Sequence, residues 1–296
     1  MATLRDIKRR ISGVKNTAKI TQAMKMVSAA KLKRAQRSIE SARPYFEKLE
    51  EMLSNLVAAV GEDYSHPLIE VRNDISNVAV VVIAADRGLC GSFNSNLFRT
   101  VTAYLKSEFR EQYPEARGRI IPVGNRTCSF FEKRDYPIIE KYTNVFADLN
   151  FNTAKSIVSV ISHKFINRDI DKVLLFYNEF VSVVRQSPTI KQILPIEPKA
   201  SSEDKSGTVA DYIFEPRKDL ILDELLPKNL DNMVWRALLE SSAAEQAARM
   251  MAMDNATTNA EDLIKHLELI YNKERQSAIT TEMLEIVSGA NALKRG

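Results

Sequence analysis

The chain has 296 residues, a formal net charge of +4, only two cysteines and only three histidines. Because these few thiol and imidazole groups show no CxxC or HxxxH spacing, they argue against a disulfide framework or a metal site. No run of about 18 apolar residues suggests a helix across a bilayer. The first residues show no signal-peptide pattern, so we expect a protein of a reducing, cytosolic setting.

The first 43 residues form a strongly basic helical pattern. They contain twelve Lys or Arg against Asp6 and Glu40, a surplus of ten, so the rest of the chain is net negative by six. Positions at a period of 3.5 residues are almost free of charge, which indicates a narrow seam facing one partner helix. The seam consists of Ile7, Ile11, Val14, Ala18, Thr21, Lys25, Ser28, Leu32, Ala35, Ile39 and Ala42. We expect Pro44 to bend or interrupt this helix, which then resumes and ends near Gly61.

The middle of the chain alternates strand and helix patterns. Apolar, β-branched runs predict buried strands. These runs are 78–84, 119–123 and 172–177, with 181–184 as an antiparallel continuation. Amphipathic stretches predict helices at 94–109, 127–133 and 153–167. The order indicates a small Rossmann-like α/β domain over residues 76–195, followed by a separate segment, 196–216.

A loop with two glycines, Asp86–Gly91, follows the first predicted strand, where open α/β sheets bind ligands. It matches neither GxGxxG nor the P-loop pattern, so a tight turn or a protein contact is favoured over a nucleotide site. Cys90 lies close to Arg87, yet no histidine lies nearby in the sequence, which favours a buried thiol over a nucleophile. A nucleotide-dependent enzyme therefore lacks a catalytic constellation here.

The C-terminal part predicts a second long helix. From Lys228 to Ser288 there is neither Gly nor Pro, and strong helix formers are frequent. Roughly 60 helical residues extend about 90 Å, and recurring charges favour a coiled coil over a membrane span. Residues 228–292 carry ten acidic and six basic side chains, which complements the basic N-terminal helix.

A domain inserted between two long helices brings the second back against the first only if the two run antiparallel. The chain is therefore predicted to be an α/β protein with a long antiparallel coiled coil of N- and C-terminal helices. Residues 1–61 and 217–296 would form this coiled coil, and the Rossmann-like domain would be inserted between them.

The end of the second helix has an unusual composition. From Gln276 to Leu293 there is no Lys or Arg, and the only acids are Glu282 and Glu285. We expect such an apolar terminus to be enclosed by another protein. If it packed only on the N-terminal helix, one stripe would be buried and the opposite one would remain exposed.

Two functional classes remain open on these patterns. The basic N-terminal helix could make this chain an adaptor that binds nucleic acid or an anionic membrane surface, because aligned Lys and Arg are typical of phosphate contact. No aromatic side chain is interleaved before Tyr45, and no nucleic-acid-binding motif is present. An acidic protein surface would suit the same helix.

Four motifs resemble those of one family. They are the stretches 20–29 (ITQAMKMVSA), 86–91 (DRGLCG), 245–250 (EQAARM) and 279–290 (ITTEMLEIVSGA). With them, essentially the whole chain resembles the gamma subunit of F-type ATP synthases. The resemblance implies a non-catalytic central shaft without a cofactor, which couples ion-driven c-ring rotation to ATP synthesis or hydrolysis in a ring of alpha and beta subunits.

The resemblance also implies roles for individual residues. Contacts with beta subunits correspond to Met24, Arg275, Gln276 and Thr280. The shaft tip inside the alpha/beta ring corresponds to Ile279, Met283, Leu284, Ile286 and Val287. A foot that meets the epsilon subunit and the c-ring corresponds to Tyr212, Phe214 and Glu215.

The same resemblance implies an assembly and a location. One copy of the chain would serve three alpha and three beta subunits, with no nucleic acid involved. The cysteine-pair insertion of plastid members is missing, and so is a mitochondrial transit pattern. We therefore expect a peripheral protein at the cytoplasmic face of a bacterial plasma membrane.

Overall fold

The computed structural model describes residues 3–60, 64–196 and 217–295. This part of the chain folds into six helices and four strands. In chain order they are α1 (Leu4–Val60), β1 (Asn77–Ile83), α2 (Phe93–Lys106), α3 (Glu108–Gln112), β2 (Arg117–Val123), α4 (Asn125–Glu132), α5 (Phe151–Ile166), β3 (Lys172–Phe180), β4 (Gln186–Leu194) and α6 (Lys218–Arg295). The predicted class, an α/β domain between two long terminal helices, is confirmed.

The chain divides into two compact units. Residues up to Ser28 and from Met250 onward form the first unit, whose described residues are all helical except Thr3. Residues Ala29–Arg249 form the second unit, which holds the sheet. Both α1 and α6 contribute residues to each unit.

The predicted seam of α1 is confirmed by burial. Every one of its eleven positions is buried or half-buried, whereas most of the residues between them are exposed. Thr21 and Ser28, the uncharged polar members, are 9% and 2% exposed. A period of 3.5 residues therefore marks the contact face of this helix, as expected for helices that pack side by side.

The expected interruption at Pro44 does not occur. Helix α1 runs without a break from Leu4 to Val60 with Pro44 inside it. Pro44 is exposed, so water can bond to the carbonyl oxygen that the missing proline N–H leaves free. Buried Leu49, Leu53 and Leu56 hold the following turns against the second unit's core, and this packing outweighs the local preference of proline.

Helix α6 likewise begins earlier than the sequence predicted. It starts at Lys218 and passes through Pro227, whereas the Gly- and Pro-free stretch that predicted this helix begins only at Lys228. Leu222, Leu226, Leu230 and Val234 follow one another at intervals of four residues, and all four are fully buried. This continuous apolar stripe spans the proline and holds both sides of it in one helix.

The four strands form one sheet in the order β2-β1-β3-β4. Strand β1 pairs in parallel with β2 and β3, and β4 pairs antiparallel with β3. The predicted strand at 181–184 is wrong, because these residues form the turn between β3 and β4. Ser182 N–H donates to the Arg185 carbonyl oxygen, and Arg185 N–H donates to Ser182 Oγ, both at 3.0 Å. This turn bonding overrides the β-branched composition.

The sheet is covered on both faces, as the continuous apolar run of β1 predicted. Ala79, Val81 and Ile83 belong to one core with α5 and the early turns of α6. The alternate residues Val78 and Val80 belong to a second core with α2. On this second face the buried α6 side chains are the alanines at positions 244 and 248.

Candidate functional site

The first unit is held by polar contacts between its two helical segments. Thr21 Oγ1 lies 2.8 Å from Thr257 Oγ1. Lys25 Nζ donates to Asp254 at 2.6 Å, and Lys15 Nζ donates to Glu268 at 2.8 Å. As the residue number falls on α1 it rises on α6, so the two segments are antiparallel. The predicted attraction between a basic and an acidic helix therefore takes the form of individual ion pairs.

The C-terminal segment of α6 is exposed within the described part of the chain. Every side chain from Asn272 to Ala290 is exposed. The predicted tip residues are among them: Ile279 (46%), Met283 (64%), Leu284 (62%), Ile286 (66%) and Val287 (56%). At 100° per residue these five positions cover roughly 160° of the helix. An apolar surface this broad cannot be satisfied by one neighbouring helix.

The predicted beta-contact residues fall at two separate levels. Met24 is half-buried on α1, next to Lys25 and therefore level with Asp254. Arg275, Gln276 and Thr280 are exposed on α6, and the Thr280 hydroxyl donates to the Gln276 carbonyl oxygen at 2.9 Å. A rise of 1.5 Å per residue places Arg275 about 30 Å beyond the level of Asp254. The structure thus brings the three α6 residues together, but Met24 stands apart.

The predicted foot residues, Tyr212, Phe214 and Glu215, lie outside the described residues.

Hydrogen bonds to other segments hold the loop Asp86–Gly91 in place. Both carboxylate oxygens of Asp86 accept backbone N–H groups, from Asn125 at 2.9 Å and from Phe146 at 2.7 Å. Leu89 has a left-handed backbone (φ 62°) and a 68% exposed side chain. Asp86 therefore has a structural role, and the side chain of Leu89 is exposed to solvent.

Cys90 does not have the surroundings of a reactive thiol. It is 2% exposed, its Sγ accepts a hydrogen bond from the Asn94 amide at 3.4 Å, and burial raises its pKa. A raised pKa leaves little thiolate at neutral pH, so Cys90 fits the prediction of a buried thiol better than that of a nucleophile.

A buried ion pair lies beside this loop. Arg249 Nη1 is 2.6 Å from Glu245 Oε1, and the two side chains are 11% and 5% exposed. Arg249 Nη2 also donates to the Gly88 carbonyl oxygen at 3.2 Å. In the sequence, residues 245–250 stand out only as a family motif. The missed signal is a Glu and an Arg four residues apart among alanines, on the face where a packed helix carries apolar residues.

A cavity of about 380 Å³ opens elsewhere in the second unit, between α1, α6 and strands β3 and β4. Leu49, Leu53, Leu175, Ile193 and Met233 form its apolar wall. No residue of the loop Asp86–Gly91 lines it, so the loop and the cavity are not parts of one ligand site.

The described residues contain neither a metal-binding cluster nor a membrane-spanning helix. Within 3–60, 64–196 and 217–295, no group of three or more His, Cys, Asp or Glu is arranged to hold a metal ion. None of the helices described has the length and apolar character needed to cross a membrane.

Comparison with known proteins identifies a family. The ATP synthase family profile matches residues 3–293. The ATP synthase gamma chain of Chlorobium limicola is 47% identical over 294 residues, which cover 99% of this chain and all of that protein. The gamma chain of Chlorobaculum parvum is 45% identical over 295 residues, with complete coverage of both chains.

Solved structures show the same fold. A chain of the central stalk and c-ring of the Tetrahymena thermophila mitochondrial ATP synthase is 28% identical, with a TM-score of 0.60 and coverage of 80% of this chain and 99% of that one. A rotor chain of the Euglena gracilis mitochondrial ATP synthase has a TM-score of 0.66 at 19% identity and covers 93% of this chain and 98% of that one. On the strength of the whole-length sequence matches, this chain belongs to the ATP synthase gamma chain family.

Proposed function

We propose that this chain is the central rotating shaft of an F-type ATP synthase. It couples ion-driven rotation of the c-ring to ATP synthesis or hydrolysis in a ring of alpha and beta subunits. The chain itself is non-catalytic and needs no cofactor. Residues 1–61 and 217–296 form the shaft, residues 76–195 form a side domain, and residues 196–216 form the loop and foot that meet the epsilon subunit and the c-ring.

The observation that carries this proposal is the exposed end of α6. From Asn272 to Ala290 every side chain is exposed among the described residues, and the apolar tip residues spread over roughly 160° of the helix circumference. A surrounding ring of subunits would cover such a surface from several sides. Apolar contacts are also non-directional, so a tip of this kind can turn inside a sleeve without being held at one angle.

The polar side chains near this end of α6 can instead make directional contacts. Arg275, Gln276 and Thr280 lie within about one turn of one another on α6, and no described residue bonds the side chains of Arg275 or Gln276. Hydrogen bonds and ion pairs are directional. We assign these three residues, with Met24 at its separate level, to contacts with the beta subunits that depend on the rotational angle.

The partners follow from this role. One copy of the chain serves three alpha and three beta subunits and joins epsilon and the c-ring at the foot, with no nucleic acid in the complex. An ion gradient exists only across a membrane, and a bacterium makes and uses ATP in its cytoplasm. We therefore place the chain on the cytoplasmic side of a bacterial plasma membrane as a peripheral subunit.

The first experiment is purification of the tagged chain from detergent-solubilised membranes. Subunit stoichiometry by mass spectrometry and ATPase activity are measured on the same eluate. We expect one copy with three alpha and three beta subunits, and ATPase activity in the complex but not in the isolated chain. Recovery of the chain alone, or with nucleic acid that high salt removes, would support the adaptor hypothesis instead.

A matched pair of variants tests the tip directly. Leu284→Glu places a charge on the apolar end of α6, and Val184→Glu places the same charge on the β3–β4 turn, where valine is 78% exposed. If the tip is enclosed, the first variant lowers assembly or ATP-driven proton pumping, because a buried unpaired charge is strongly unfavourable. The second should behave as the wild type. Equal behaviour of the two variants would contradict an enclosed tip.

A further inference from the structure

The ion pair between Glu245 and Arg249 lies at a level of α6 where the apolar contacts to the α2-side core come from small side chains. In the core on the α2 face of the sheet, the buried α6 side chains are Ala244 and Ala248. Methyl groups pack closely but give non-directional contacts, so they resist separation better than they resist sliding. A directional restraint on this face has to come from polar groups.

Arg249 supplies such a restraint. One terminal nitrogen of its guanidinium bonds Glu245 at 2.6 Å, and the other donates to the Gly88 carbonyl oxygen at 3.2 Å. Because the guanidinium is planar and rigid, fixing one nitrogen fixes the direction of the other. Glu245 thereby determines where Arg249 holds the loop.

The loop that is held carries backbone strain. Leu89 follows the bonded Gly88 carbonyl directly and has φ 62°, a region that a leucine occupies only when its surroundings enforce it. A Cβ at Gly88 would lie 2.8 Å from Arg126 Nη2, so the Arg126 side chain packs against this glycine. Arg126 and Arg249 therefore both contact the loop at Gly88.

The pair is an expensive way to hold two elements together. Glu245 Oε2 is buried and has no hydrogen-bond partner among the described residues. Replacing a buried ion pair by apolar side chains of similar size is often neutral or stabilising, so stability alone does not explain it. An unsatisfied buried oxygen calls for a role other than packing.

We propose that Glu245 is a positioning residue: it orients Arg249, which locks the loop Asp86–Gly91 to α6 so that the sheet domain and the helix turn as one body. This inference rests on the proposed function. In a rotating shaft, torque that enters through the side domain reaches the tip only if α6 does not slip against that domain. The alanine contacts resist sliding less than the buried leucines of the early turns of α6, and the Glu245–Arg249–Gly88 chain of bonds adds a directional restraint at this level of the helix.

The test uses the assembled enzyme in membrane vesicles. The main variant is the double substitution Glu245→Leu with Arg249→Met, which keeps the volume and removes both directional bonds. Three quantities are measured: ATP hydrolysis, proton pumping per ATP hydrolysed, and hydrogen exchange of the backbone amides of the loop. We expect assembly and hydrolysis to persist, pumping per ATP to fall by about threefold or more, and loop amides to exchange faster.

Single substitutions keep the proposal testable if the double variant fails to assemble. Glu245→Gln retains an oxygen that can accept from Arg249, so pumping should stay near that of the wild type. Arg249→Lys replaces the rigid fork by a point charge that cannot bridge both acceptors, so pumping per ATP should fall. The reverse ranking of these two variants would overturn the proposal.

Other outcomes are equally decisive. Unchanged pumping per ATP in the double variant overturns the proposal, whether or not the loop exchanges faster, since the pair would then be structural only. A loss of pumping without faster loop exchange also overturns it, because the loop would not be the element held. The wild-type complex serves as the reference: if it lacks alpha and beta subunits or does not pump, the proposed function fails before any variant is compared.

Discussion

Lys25 and Asp254 form an ion pair of 2.6 Å between the two helices of the first unit, although 229 residues separate them in the chain. Their side chains are 41% and 44% exposed, so water screens the attraction. Together with the contacts Thr21–Thr257 and Lys15–Glu268, the pair defines a single antiparallel register. In this position a charged pair specifies alignment more than it adds stability.

Asp254→Asn should therefore lower the free energy of unfolding by less than about 1 kcal/mol, with a smaller effect at high salt. The exchanged pair Lys25→Asp with Asp254→Lys should recover most of that loss, because the same attraction is rebuilt in reverse. Urea unfolding of the wild type, of the single exchanges Lys25→Asp and Asp254→Lys, and of the double exchange completes a double-mutant cycle that measures the coupling. A coupling that does not change between low and high salt would contradict an exposed electrostatic pair.

Met24→Lys should reduce coupling more than assembly. Met24 is half-buried beside Lys25, and a further ammonium group there would add a cation where we place a beta-subunit loop. We expect the complex to form and hydrolyse ATP while it pumps fewer protons per ATP. Met24→Leu, which keeps an apolar side chain of similar volume, is the control. Unchanged pumping per ATP in the lysine variant would refute the assigned contact.

Gly124→Ala should be severely destabilising. Gly124 has φ 100°, and a Cβ there would lie 2.1 Å from the Ala84 carbonyl oxygen, a backbone atom at the end of β1. We expect a loss of about 3 kcal/mol or more. Gly13→Ala is the contrasting variant, because nothing lies within 4 Å of its Cβ and the residue is inside α1. That change should raise stability by roughly 0.5–1 kcal/mol, and thermal unfolding would compare the two.

The titration of Glu245 should contribute to the pH dependence of the free energy of unfolding. Burial raises the pKa of this carboxyl, while the neighbouring Arg249 acts in the opposite direction. Asp86 also raises it and Lys31 lowers it. The folded state therefore binds the proton more tightly than the unfolded state. This contribution is fully present below the unfolded pKa of about 4.3 and is lost as pH rises through the folded pKa.

Glu245→Gln removes that titration. We expect the melting temperature of the variant, relative to that of the wild type, to rise as pH increases above about 4.3. Asp254→Asn is a suitable comparison, since it removes a carboxylate that is 44% exposed. Melting curves of the three proteins over the acidic range provide the measurement. A relative melting temperature of Glu245→Gln that falls with increasing pH would show that the pKa of Glu245 is lowered by its surroundings.

Periodic patterns proved reliable wherever burial alone decides which positions of an element are apolar. The spacing of 3.5 residues in α1 located all eleven contact positions, and the apolar run of β1 correctly indicated burial on both faces. Local rules failed where packing competed with them. Pro44 remains inside a helix because buried leucines hold the turns after it, and Pro227 because buried leucines lie on both sides. Residues 181–184 form a turn because Ser182 and Arg185 bond each other.

Local patterns predict the two long helices, the α/β domain between them and the apolar, nearly uncharged end of α6. Each of these depends on residues close together in the chain, so periodicity and composition are sufficient to reveal them. Which charges meet depends on tertiary packing. Arg249 lies 161 residues from Gly88, and Lys25 lies 229 residues from Asp254. Such pairs depend on the register of packed helices and the path of a strained loop, which no local pattern encodes.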